Sequence, residues 1–318
     1  MMRRLIGVAA TLSLMGAAAC AAIATSIPGP VAGPDHAIPM EARHVPLGIG
    51  GASLAPGVRY AGGLVLRGPD LHGLSDLKVR NDRAWAVSDF GQLVRFTLRL
   101  DGAGRLVGAD SAIGRPLTGP DGLGLTPKAN ADAEGLAILA DGEVLVSFER
   151  DNRIWSYGPD VSRPAAPVPA PSGPFPDNEG MEGLSADGDG WLALGETGGA
   201  WLCDRGGCAP LTGPALRPAD DFRFTGADQD PAGGWFVVER RYTPPLDMRV
   251  RVRRLSTEGV LSEPLIQLRP PASTDNFEGI AAVATARGTR LYLLSDDNDN
   301  PLQRTLLLAF DVPPPGAD

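Results

Sequence analysis

Acidic side chains recur in this chain at matching places. Asp132-Ala133-Glu134-Gly135-Leu136, Glu179-Gly180-Met181-Glu182-Gly183-Leu184 and Asp275-Asn276-Phe277-Glu278-Gly279-Ile280 each set a glutamate directly before a glycine and an aliphatic residue. A second set of acids closes the apolar run that follows: Asp89, Glu149, Glu196, Glu239 and Asp296. Carboxylates gathered at one place cannot all stay ionised and bare. Two like charges about 4 Å apart cost on the order of 4 kcal/mol at an effective dielectric near 20. Such a site protonates some of its acids, pairs them with arginine, or binds a cation. Oxygen-only donors favour Ca²⁺, and less so Mg²⁺, over zinc. The candidate metal ligands are Glu134, Glu149, Glu182, Glu196, Glu239, Glu278 and Asp296. Glu134, Glu182 and Glu278 are also the candidate catalytic residues, able to act as general base on a water.

Other groups stand beside the acids. Arg150 follows Glu149, and Arg240 follows Glu239. Each reads either as an internal ion-pair partner or as a clamp on an anionic substrate. Ser295-Asp296-Asp297-Asn298-Asp299-Asn300-Pro301 reads as more cation oxygens or as a polar turn before proline, and it lacks the order of an EF-hand loop. Asp132 and Asn178 read as caps of strand starts. His72 occupies the slot that glutamate fills in other copies and is a candidate substrate contact. No G-x-S-x-G elbow is present, so nucleophilic serine catalysis has no support.

Holding these residues in common positions requires a repeated element. The first copy is His72-Gly73-Leu74-Ser75-Asp76 followed by Trp85-Ala86-Val87-Ser88-Asp89, and a degenerate fourth is Phe224-Thr225-Gly226-Ala227-Asp228 followed by Trp235 to Glu239. Each unit reads as a short strand, a Gly-containing turn and a second apolar strand ending on a carboxylate. The copies recur about every 40–60 residues, the period of a β-propeller blade. The fold expected is all-β: a single propeller of five or six blades, each of four antiparallel strands. Leu93–Phe96 and Arg153–Tyr157 are third strands. Val58–Leu66 pairs with Thr305–Phe310 to close the ring, and a sixth blade has room at 47–70 or 100–131.

Composition agrees. The 318 residues contain 41 Gly and 30 Pro, together nearly twice average usage, which leaves little room for long helices. A net charge of -9 excludes nucleic acid as a partner, because phosphate backbones are bound by clustered Lys and Arg. Residues 1–19 read as an export signal with a charged start and a short apolar core. Cys20 follows Ala17-Ala18-Ala19 as in a lipobox, and is either the lipidated first residue or lost to ordinary cleavage. The protein is expected to be exported, periplasmic or lipid-anchored to the outer membrane, and monomeric. Residues 20–46 read as a Pro/Gly/Ala-rich tether and 47–318 as the propeller. Cys203 and Cys208, flanking Gly206-Gly207, read as a hairpin-tip disulfide in an oxidising compartment.

Over roughly residues 70–312, the acid-bearing segments 132–136, 178–184, 238–240 and 275–280, with Ser295-Asp296-Asp297-Asn298, resemble the bacterial phytase-like family, the "esterase-like activity of phytase" proteins. The resemblance implies an exported propeller with phosphoesterase or carboxylesterase activity on a small anionic or ester substrate. It also implies calcium that binds substrate phosphates and activates water. Two other functions fit the same residues: a non-enzymatic envelope binding propeller with structural calcium, and a calcium-dependent lactonase-like propeller.

Overall fold

Each repeat forms an antiparallel sheet, and the five sheets stand around one axis. The computed structural model describes residues 33–173, 175, 179–211, 216–244 and 247–316. From the axis outward, blade I contains Leu74–Arg80, Arg83–Ser88, Gln92–Leu100 and Leu106–Pro116. Blade II contains Ala133–Ile138, Glu143–Phe148, Arg153–Pro159 and Ala166–Val168. Blade III contains Gly183–Asp187, Gly190–Leu194, Ala200–Asp204 and Gly207–Pro210. Blade IV contains Arg223–Gln229, Trp235–Thr243, Asp247–Leu255 and Ile266–Leu268. Blade V contains Asn276–Thr285, Gly288–Asp296, Thr305–Val312 and Arg59–Arg67. The five innermost strands contact one another in a closed ring. The one helical segment among the described residues is a 3-10 turn at Lys128–Asn130.

The ring closes as expected: Arg59–Arg67 pairs with the last strand, with Leu66 opposite Thr305 and Tyr60 opposite Phe310. Closure of this kind joins an N-terminal strand and the last strand in one blade and leaves each blade only a short outer edge.

Two expectations change. No sixth blade exists among the described residues. The 47–70 run supplies Ala52–Leu54 to blade IV and Arg59–Arg67 to blade V, and the 100–131 segment supplies the fourth strand of blade I. Part of the 20–46 run read as a tether is built into sheets. His36–Ala37 pairs with the outer strand of blade I, and Glu41–His44 pairs with Arg59–Arg67. These strands are too short and too exposed to show an apolar period; their pairing comes from the open outer edges of the blades. Cys20 and residues 1–32 lie outside the described residues. No helix among the described residues is long and apolar enough to cross a membrane.

The core is divided among the blade interfaces. Leu74 and Phe96 of blade I meet Ala281 and Leu307 of blade V, and Trp85 and Val87 meet Leu136 and Phe148 of blade II. Leu145 and Ile154 meet Leu184 and Trp191, Leu192 and Leu194 meet Phe224 and Trp235, and Phe236 and Val250 meet Phe277 and Leu306. A middle strand packed on both faces needs an unbroken apolar run, and Glu143–Phe148 is buried throughout. Each fully buried large side chain contributes about 1.5–3 kcal/mol.

Cys203 and Cys208 form the expected disulfide across a hairpin, with Cα atoms 4.0 Å apart. The hairpin tip places Arg205 on the buried Glu143 of blade II. A loop this short constrains the unfolded chain only modestly. Cys203→Ala with Cys208→Ala is expected to lower unfolding free energy by about 2 kcal/mol, as a shift in the urea midpoint, with the fold retained.

Candidate functional site

Four of the five inner hairpins carry a β-bulge near the head of the inner strand. In blade V the register passes from Phe277 opposite Ser295 to Gly279 opposite Leu294, so Glu278 is the inserted residue. In blade II, Glu134-Gly135 is accommodated opposite Ser147 in the same way. Bulges re-aim a side chain without ending the sheet; here they fall at Glu134 and Glu278, while Glu182 stands just before an unbulged strand. The glycine that follows is needed for close approach. A Cβ on Gly279 would sit 2.8 Å from the Leu77 nitrogen of blade I, and one on Gly226 would sit 2.0 Å from the Glu278 carbonyl oxygen.

Because each hairpin is antiparallel, the head of its inner strand and the end of the second strand share one rim. Ala133 lies opposite Phe148, Gly183 opposite Leu194 and Asn276 opposite Asp296. The rim therefore gathers Glu134, Glu149, Glu182, Glu196, Glu278, Asp296 and Asp89. Burial raises the Glu134 pKa well above the usual range, and Glu182, Glu278, Asp132 and Glu149 raise it further. Burial also raises Glu182, with Glu278 and Glu196 adding to it and Arg240 opposing. Burial pushes Glu278 up to about 8, helped by Asp296 and opposed by Arg240 and Asn276. Asp296 is pushed up to about 7, by burial first, against a hydrogen bond from the Asn298 N–H. Glu149 and Glu196 are raised by burial as well.

Asp132, Glu134 and Glu149 each offer an oxygen, and these atoms lie within 4.8 Å of one another. Two ligands on opposite sides of a Ca²⁺, at about 2.4 Å each, stand about that far apart, so the set fits an oxygen-liganded cation. Asp132 is thus part of the cluster and not a simple strand cap. It also accepts hydrogen bonds from Lys128 Nζ at 3.1 Å and Arg150 Nε at 2.8 Å. Lys128 bridges on to Asp89 at 2.9 Å. Sequence reading overlooked Asp132 and Lys128 as a pair; their (i, i+4) spacing across the 3-10 turn was the available signal.

Glu239 is paired within its own blade. Its carboxylate is buried and held by Arg251 at 2.9 Å and Arg253 at 3.5 Å, both on the next strand of blade IV. Burial raises its pKa, and Arg251 and Arg253 oppose that rise. Blade IV contributes Arg240 to the site instead, 3.4 Å from Glu278 Oε1. Asn276 Nδ2 donates to the same oxygen at 2.8 Å.

His72 packs edge-on against Phe90, with ring centroids 4.7 Å apart, and lies near enough to Asp89 to favour its ionised form. The Asp296–Asn300 run is the polar turn. Asn298 N–H donates to Asp296 Oδ1 and Asp299 N–H to Asp297 Oδ1, while Thr305 Oγ1 donates to Asp297 Oδ2. Asn178 lies outside the described residues.

Deeper in the channel, Lys78 Nζ donates to Asp76 Oδ2 at 2.8 Å and to the Ile280 carbonyl at 3.3 Å. Asp76 also accepts from the Leu77 and Leu136 N–H groups. The lysine and its acid bolt three inner strands together below the glutamates. Lys78→Met is expected to cost about 3–5 kcal/mol by stranding a buried carboxylate, and Asp76→Asn with Lys78→Met to recover part of that, both read by urea denaturation.

Among solved structures, the chain is similar to the allergen Mala s 1 of Malassezia sympodialis at 15% identity and TM-score 0.45, covering 79% of this chain and 87% of that one. It is similar to virginiamycin B lyase of Staphylococcus aureus at 10% identity and TM-score 0.44, covering 86% and 100%. A provisionally named gluconolactonase matches at 14% identity and TM-score 0.40, covering 86% and 93%. No curated protein matches. The family model described as phytase-like, esterase-like activity of phytase, matches residues 69–299. That span is most of the chain and takes in every acid of the rim: the protein belongs to the phytase-like family.

Proposed function

We propose that this protein is an exported, Ca²⁺-dependent hydrolase of a small phosphate ester or related ester, acting at the acidic rim of the propeller. The observation that carries this reading is the convergence of Asp132, Glu134 and Glu149 within cation-ligand distance, beside further buried acids with raised pKa values. Asp132, Glu134 and Glu149 would hold the ion. When bound, it would polarise a phosphoryl or acyl oxygen and lower the pKa of a water.

The chain's own residues supply the rest. Glu182 and Glu278 lie outside the ligand triad; burial and neighbouring acids raise Glu182, and Glu278 is pushed up to about 8, where a group can both accept and return a proton. In the ionised form either would take the proton of the attacking water, and in the protonated form either would give one to the departing alkoxide. Arg240 and Arg150 supply positive charge beside the acids, suited to an anionic substrate.

The test is a thermal-shift titration of the purified protein with Ca²⁺, Mg²⁺ and EDTA, paired with assays of an aryl phosphate, an aryl carboxyl ester and a lactone. A saturable rise in Tm with Ca²⁺ and Ca²⁺-dependent turnover of one substrate is the expected result. Turnover of the lactone alone would move the assignment to the lactonase-like reading. A Ca²⁺ shift without turnover would leave a binding propeller with structural calcium. No shift with either ion would remove the cation; the cationic partners Lys128, Arg150 and Arg240 would then account for the balance of charge.

A further inference from the structure

At the end of the propeller away from the glutamates, one cleft gathers positive charge. Between blades V and I, where Thr285–Gly288 and Leu100–Arg105 turn, lies a cleft of about 620 Å³. Four guanidiniums border it: Arg59, Arg105, and Arg287 and Arg290 of one hairpin. One carboxylate, Asp311, accompanies them. It is taken by Arg290, whose Nε donates at 2.7 Å and whose NH1 donates to the Gly104 carbonyl at 2.7 Å. The nearby Asp101 turns its carboxylate onto the backbone N–H groups of Ala103 and Arg105. The side chains of Arg59, Arg105 and Arg287 make no hydrogen bond or ion pair among the described residues. Arg105 feels the attraction of Asp101, whose carboxylate is already bonded to backbone, so the cleft holds more positive than negative charge.

The walls between them are apolar. Leu100 is 44% exposed, and Val283 and the rings of Tyr60 and Tyr292 complete the wall. The Tyr60 hydroxyl is fixed by donating to the Val45 carbonyl. A concave site of this volume with an apolar wall and a few converging charged groups suits one drug-sized ligand. Arginine forks match phosphate and carboxylate oxygens and stack on flat groups.

We infer that this cleft is a second binding site, separate from the acidic rim, for a small anion that carries an aromatic or apolar body. Phosphate or carboxylate oxygens would lie on Arg59, Arg105 and Arg287, and the body against Leu100, Val283 and the tyrosines.

Calorimetric titration of the full chain in EDTA, which keeps a cation from recruiting ligand to the acidic rim, tests this. Phenyl phosphate is the probe, with inorganic phosphate and phenol as comparators. Saturable binding of phenyl phosphate, at least tenfold tighter than either comparator, is expected. Arg59→Gln with Arg287→Gln, both exposed and unpaired, should weaken it at least tenfold without lowering Tm, and Glu134→Gln should leave it unchanged. Absence of saturable binding would overturn the inference. So would equal binding of phenol, affinity indifferent to the arginine pair, or binding lost in Glu134→Gln.

Discussion

Glu134→Gln is expected to lower Ca²⁺-dependent turnover at least 100-fold and to abolish the Ca²⁺-induced rise in Tm, while the protein stays folded. The substitution is nearly isosteric and removes one ligand charge from the Asp132–Glu134–Glu149 set. A weaker hold on the ion removes the charge that would polarise the substrate and activate the water. The same change relieves repulsion from Glu182, Glu278 and Asp132, so the metal-free variant should melt higher than the metal-free parent above neutral pH. Those two opposite effects separate a site role from a packing role, since a packing role predicts loss of both activity and stability. Glu278→Gln should reproduce the activity loss but keep the Ca²⁺ shift, because Glu278 stands outside the ligand set. Full activity in both variants would remove the acids from catalysis.

In EDTA, stability is expected to fall as pH rises from about 4 to about 8, the reverse of the usual behaviour of carboxylates paired in the native state. Glu278 moves from an ordinary 4.5 to about 8 on folding, and Asp296 from 3.8 to about 7. Between those values the folded protein binds more protons than the unfolded chain, so each pH unit gained there costs native stability. A tenfold change in the proton affinity of one group corresponds to about 1.4 kcal/mol, and coupling within the cluster reduces the sum to a few kcal/mol. Urea unfolding at pH 5 and pH 8 reads this directly. Saturating Ca²⁺ should flatten the profile, since an ion at 100 times its Kd adds about 2.7 kcal/mol to the native state and needs ionised ligands. Glu278→Gln should flatten it partly without metal. A metal-free profile that is level or rises toward pH 8 would mean that the acids are fully compensated by Lys128, Arg150 and Arg240.

Much of this arrangement is legible in the residues. The Glu-Gly-aliphatic segments mark inner strands because the glutamate rides on a bulge or strand head, and because at Gly279 and Gly226 the neighbouring backbone leaves no room for a Cβ. The apolar runs ending in acids mark second strands because a strand between two blades is buried on both faces. Those two local rules were enough for the propeller class, the five acid-bearing hairpins and the closing pair Arg59–Arg67 with Thr305–Val312.

The rest depends on contacts between residues distant in sequence. Glu239 fits the repeat rule as well as Glu149 does, yet Arg251 and Arg253 on the next strand hold it. The repeat fixes where an acid sits along its strand, not which charge the adjacent strand sets beside it. Asp76 and Lys78 lie two residues apart on one strand and thus on one face. Only ring closure brings Ile280 and Leu136 against them and makes them a buried bolt. The strands at His36–Ala37, Glu41–His44 and Ala52–Leu54 have no periodic signal, because they pair with outer edges where one face meets solvent. Residue order alone specifies a repeated acid-tipped hairpin and the chemistry open to it. Which acids share a cation site and which are neutralised is settled only in the assembled ring, because charge compensation depends on distances of a few ångströms between blades.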